Sequence, residues 1–193
     1  MVVRRPRFPR DHESIAEISS IKRVFELKVL GVTFTDTLSM SAHVKHLGTK
    51  SAQTIYALRT LRAHGLCGEA LWSVTRAHII SRLTYASSAW WGFCNAGERS
   101  QLEAVVTRLV KKKYLPPDQS SLSEIVTTAD TRLFDQIVMN PNHVLAPLIP
   151  PSKSHPYNLR NRRHNIQIPP AHANSDRNFI IRTILDLNSK RSQ

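Results

Sequence analysis

The chain is 193 residues long and 41% hydrophobic, with 27 Lys and Arg against 14 Asp and Glu, a formal net charge of +13. That apolar share is ordinary for a folded domain and argues against wholesale disorder, but so large a positive excess repels itself unless a polyanion is near. No apolar run approaches the ~20 residues that cross a bilayer as a helix, so nucleic acid is the leading partner class and an anionic membrane surface its competitor.

Residues 1 to about 20 show no clear period and read as a basic leader. Pro6 and Pro9 break any helix there, and Asp11, Glu13 and Glu17 follow closely, which argues against a mitochondrial presequence. Cys67 and Cys94 are the only cysteines and no signal-peptide apolar core precedes them. The expected location is therefore intracellular, nuclear or cytoplasmic, with both thiols free. Residues 21–38 include FELKVLGVTFTD, in which β-branched and aromatic residues flank Gly31. This pattern predicts a short β hairpin, with Asp36 and Thr37 supplying the turn that follows.

From Ser39 the period changes. Met40, Val44, Leu47, Ser51, Ile55, Leu58 and Leu61 recur at three- and four-residue steps, one stripe of a helix that Ser39 or Ser41 would cap and Gly65 would end. No acidic residue lies between Asp36 and Glu69, so Lys45, Lys50 and Arg59 are expected on the polar face, with Arg62 at the stripe's edge. His43 and His46 are read as solvated residues of that basic helix. Residues 68–93 are apolar nearly all round, and a helix of that kind is packed on several sides. Leu71, Tyr85 and Trp90 are its expected core contacts.

A third helix is predicted from about Glu98 to Lys113. Leu102, Val105, Val106, Leu109 and Val110 point inward, and Arg108, Lys111, Lys112 and Lys113 gather at the end where the helix dipole favours cations. Pro116 and Pro117 stop it. Two shorter helices are expected at about 120–128 and 130–139, completing a helical domain over 39–139. Residues 140–193 read as a flexible Pro- and Arg-rich tail that closes on an amphipathic segment, NFIIRTILDLN. The predicted fold is mainly α, a small helical bundle with a β hairpin at its N-terminal edge.

Catalytic signatures are sparse. No glycine pattern suits a phosphate loop, neither cysteine sits in a nucleophile's context, and His43 with His46 lacks further ligands at zinc spacing. Two-metal phosphoryl transfer needs clustered carboxylates, whereas Asp36, Glu69, Glu98, Glu103, Asp118, Glu124, Asp130 and Asp135 are scattered singly. The positive signal is Lys45, Lys50, Arg59, Arg62, Arg108 and Lys111 to Lys113, which could follow a phosphate backbone without reading sequence.

In chain order, KVLGVTFTDTLSMSAHV, KSAQTIYALRTLRAHGL, YASSAWWG and LEAVVTRLVKK resemble the C-terminal part of reverse transcriptases from non-LTR retrotransposons, the jockey-like elements of animals. The closing segment is similar to a degenerate copy of that family's terminal block, with Leu187 and Asn188 where an aromatic residue and Trp-Asn normally stand. The resemblance runs from about Val29 to Asn188. It implies that Leu30 and Gly31 correspond to the primer-grip hairpin and that the helices after it correspond to the thumb, against a template–primer duplex. It also implies that the Mg²⁺-binding aspartates of a full enzyme lie upstream of the hairpin. The chain is then expected to be a polymerase remnant, inactive alone and without a cofactor of its own, that binds RNA, DNA or their hybrid. A segment of a complete RNA-directed DNA polymerase and a helical interaction protein or relic are the alternatives. A thumb helix without its palm is further expected to expose its apolar stripe and to self-associate through it.

Overall fold

The computed structural model describes residues 24–151, Ile166 and residues 175–189. The leader and most of the tail lie outside the described residues. The described part is mainly helical, with a two-stranded antiparallel hairpin near its start. It divides into two compact units, the first holding residues 24–86 and 93–122, the second 87–92 and the described residues from 123 onward.

In the first unit, strands β1 (Glu26–Val29) and β2 (Val32–Thr35) pair with Glu26 opposite Thr35 and Val29 opposite Val32. Leu30 and Gly31 form the two-residue turn, with φ of 47° and 88°. Positive φ at both positions is the type I′ geometry whose twist suits a hairpin, easy for Gly31 and strained for Leu30. Helix α1 (Ser41–Ala63) follows and packs on β2 and on the helices at Gly68–Thr75 and Ala96–Lys111. Ser39 supplies its start differently from a regular side-chain cap: its Oγ accepts from the Ser41 N–H at 3.3 Å. Gly65 ends the helix as expected, at φ 96°, with Leu66 N–H donating to Leu61 O and Gly65 N–H to Arg62 O, the paired bonds of a Schellman motif. Gly48 does not interrupt the helix.

The apolar stripe of α1 is covered. Met40, Val44, Leu47, Ser51 and Leu58 are buried, and only Leu61, at the far end, is exposed, so self-association through this stripe is not supported. His43 is buried as well, correcting its reading as a solvated residue. Its Nδ1 accepts a long bond of 3.5 Å from the Thr33 N–H of β2, and burial, with the nearby charges of His46 and Lys28, lowers its pKa. A residue read by its own helix's polarity is here claimed by a neighbouring strand.

The apolar 68–93 segment is not one helix. It runs as α2 (Gly68–Thr75), a π-helical turn (Arg76–Ile80) and α3 (Ser81–Thr84), then breaks at Ala86, whose φ is 50°. A short α4 (Ser87–Trp90) and a 3₁₀ turn (Trp91–Phe93) follow. Leu71 and Trp90 are buried, but the break turns Tyr85 outward to 56% exposure, so its expected core role is wrong. Its ring instead lies beneath the hairpin turn, with Cε1 3.4 Å from where a Cβ on Gly31 would stand. No glycine or proline marks this break, which is why periodicity passed over it.

Helix α5 (Ala96–Lys111) starts on a capping box. Asn95 Oδ1 accepts from the Glu98 N–H and Glu98 Oε2 accepts from the Asn95 N–H, each at 2.8 Å. Leu102, Val106 and Leu109 are buried as expected. Residues 122–139, from Ser123 onward in the second unit, form one helix, α6 (Leu122–Met139), rather than two. Asp130, at the expected break, is held by contacts distant in sequence: Ser88 Oγ donates to Oδ1 and the Arg182 guanidinium pairs with Oδ2. Arg182 lies on α7 (Phe179–Ser189), the amphipathic segment expected at the chain's end, whose Ile180 and Ile184 close a cluster with Phe134.

Candidate nucleic-acid interface

The cationic residues do not form one stripe. Within α1, Lys45 and Arg59 are 14 residues apart, about 21 Å along the axis and within about 40° around it. Lys50 is turned roughly 140° from Lys45, on the opposite flank of the helix. All three are exposed. Lys50 also stands where Arg82 of α3 binds α1, through Thr54 Oγ1 at 3.0 Å and the Lys50 carbonyl at 3.4 Å.

The C-terminal ends of α1 and α5 are brought together by Arg62. Its Nη1 donates to the Lys112 carbonyl at 2.9 Å, and its guanidinium carbon lies 4.4 Å from the centroid of the Tyr114 ring. Arg62 thus satisfies a carbonyl left open at the α5 terminus and stacks on a buried aromatic face. That geometry gives it a structural task, unlike the neighbouring cations with which it was grouped. α5 then closes in the same way as α1: Tyr114 N–H donates to Leu109 O at 2.8 Å and Lys113 N–H to Val110 O at 2.9 Å. Lys113 takes the left-handed position, φ 60°, that glycine usually fills.

The result is a corner on which Arg59, Arg108, Lys111, Lys112 and Lys113 are exposed beside the anchored Arg62. Both helix C-termini turn their carbonyls there, and the surrounding cations offset those partial negative charges. A shallow trough of about 490 Å³ runs along the same end of α5, with Glu103, Thr107, Arg108, Lys111 and Lys112 among its lining. A larger trough, about 750 Å³, lies along α6. Its Thr127, Thr128 and Thr131 hydroxyls each donate to the carbonyl four residues earlier.

Three of the carboxylates have separate structural uses. Glu98 caps α5, Glu103 Oε1 accepts from the Leu122 N–H at 3.0 Å, and Asp130 pairs with Arg182. Among the described residues no group of three or more His, Cys, Asp or Glu could hold a metal ion. Burial, aided by the Glu98 carboxylate, pushes the Cys94 thiol up to about 12, which keeps it protonated and unreactive at neutral pH. Cys67 is exposed at the start of α2.

Leu30 and Gly31 occupy the hairpin tip, where Leu30 is 86% exposed. No helix among the described residues is long and apolar enough to cross a membrane. The class these features define is a mainly helical protein with a cationic corner. No family model, curated protein or solved structure matches the chain.

Proposed function

We propose that this protein binds nucleic acid, RNA, DNA or their hybrid, by its phosphates, and that it is a remnant of a retrotransposon reverse transcriptase. The observation that carries the binding reading is the corner of Arg59, Arg108 and Lys111 to Lys113 on a chain of net charge +13. Five side chains at one end of two packed helices can meet successive phosphates, and each contact releases counterions. The remnant reading rests on the order of the resembling segments. In that reading the strained, exposed Leu30–Gly31 tip corresponds to the primer grip, and polymerisation belongs to a parent enzyme.

Fluorescence anisotropy on an RNA–DNA hybrid across a salt series tests the binding. Five phosphate contacts give a log–log slope of up to about −4.5, and Lys111→Ala, Lys112→Ala and Lys113→Gly together flatten it by about 2.7. Lys50→Ala, on the far flank, leaves the slope unchanged. A flat salt dependence in the native protein, or preference for anionic vesicles over the duplex, overturns the reading. An in-frame aspartate pair encoded before Met1 would instead favour a segment of a complete polymerase.

A further inference from the structure

Every residue of β1 is exposed, in a strand whose partner β2 packs on α1. The pairing register fixes which backbone groups of β1 face outward. Asp36 N–H donates to Phe25 O at 3.0 Å, and hydrogen-bonded pairs alternate along an antiparallel ladder. Phe25, Leu27 and Val29 therefore turn their peptide groups toward β2, while Glu26 and Lys28 turn theirs to the outer edge. Such an edge is a template for another strand.

We propose that two copies of this chain join antiparallel through the outer edges of β1, with a two-fold axis at Leu27, to form a four-stranded sheet. The charges select this register. An axis at residue 26 sets Glu26 against Glu26 of the second copy, and an axis at residue 28 sets Lys28 against Lys28. Like charges directly opposite are destabilising. With the axis at Leu27, each Glu26 faces a Lys28 of the other copy, and the two resulting pairs are both hydrogen-bonded pairs.

Two further observations agree. Inside the hairpin Glu26 stands opposite Thr35 and Lys28 opposite Thr33, so neither charge has an ionic partner across its own ladder. On the other face Phe25, Leu27 and Val29 are exposed large apolar side chains. The same register puts Phe25 against Val29 of the second copy and Leu27 against Leu27, so both faces of the new ladder match. An edge lysine ordinarily discourages strand addition. Here the glutamate two residues away supplies its complement.

Sedimentation equilibrium of the full chain tests the dimer, expected at twice the 21.9 kDa chain mass. Glu26→Lys or Lys28→Glu alone weakens association about tenfold or more, because symmetry doubles each change. The double swap, Glu26→Lys with Lys28→Glu, restores it. In a Cys67→Ser background, Leu27→Cys forms an interchain disulfide on oxidation, since the facing residues of a non-hydrogen-bonded pair lie ~4.5 Å apart at Cα. The proposal fails if the native chain is monomeric at submillimolar concentration, or if either single reversal leaves association unchanged. It fails equally if the double swap stays monomeric with a native helical circular dichroism spectrum, or if Leu27→Cys does not cross-link in a dimeric protein.

Discussion

Replacing Gly92 by alanine tests how α7 is held. A Cβ at this position would fall inside van der Waals contact with the Arg177 carbonyl oxygen and the Arg182 guanidinium, and 3.0 Å from the Arg177 carbonyl carbon. The guanidinium can swing aside, but the carbonyl belongs to the backbone that leads into α7 and moves only with it. Shifting a packed element to admit one methyl costs about 1–3 kcal/mol. Releasing α7 altogether costs more: re-exposing Ile180 and Ile184 forfeits about 3–6 kcal/mol. Leaving the buried Asp130 without Arg182 adds about 3–5 kcal/mol. A strained but docked α7 is therefore the expected outcome. Local stability then falls by about 3 kcal/mol, the upper end of the range because the obstacle is backbone. That change lowers hydrogen-exchange protection of the Arg182, Thr183 and Ile184 amides about a hundredfold, at about 1.4 kcal/mol per decade. Gly48→Ala is the control of opposite sign. Nothing lies within 4 Å of its Cβ position in mid-helix, so the substitution stabilises by about 0.5–1 kcal/mol. Unchanged protection in Gly92→Ala would refute the close-approach argument.

Three further outcomes follow from other residues. Asn95→Ala removes one half of the α5 capping box and lowers the urea midpoint by an amount worth about 1 kcal/mol, with the m-value unchanged. Because burial holds the folded-state pKa of His43 below the ordinary imidazole value of about 6.5, the unfolded chain takes up the proton first, so the contribution is intact above that value and is lost as pH falls below it. Thermal midpoints should decline from pH 7 to 5, and His43→Asn, whose Oδ1 can still accept from Thr33 N–H, should flatten that decline. A native midpoint independent of pH over this window would count against the buried, neutral imidazole. Lys113→Gly relieves a left-handed φ of 60° and raises stability by about 1 kcal/mol while removing one phosphate contact. Calorimetry and the salt slope should therefore move in opposite directions.

The hairpin, α1, α5 and the closing amphipathic helix were legible in the sequence because each is marked by short-range chemistry. Alternation flanks Gly31, three- and four-residue steps run from Met40 to Leu58, and a Gly or Pro stands near most of their ends. The cationic residues were legible as types but not as an arrangement. Polarity alone groups Lys50 with Arg59, although nine residues at 100° each already set them on opposite flanks of the helix. It also cannot foresee that Arg62 reaches across to cap α5 over Tyr114.

By itself the sequence determined the mainly helical class, the N-terminal hairpin and the positive excess, since local periodicity and composition act within a turn or two of chain. Only the tertiary structure decided the rest. Asp130 stays helical because Ser88 and Arg182 meet its carboxylate, His43 is buried because β2 covers it, and Tyr85 is expelled because the chain turns at Ala86. The physical reason is common to these cases. A buried polar group or a strained backbone is stable only when groups far away in sequence satisfy it, and no local pattern carries that information.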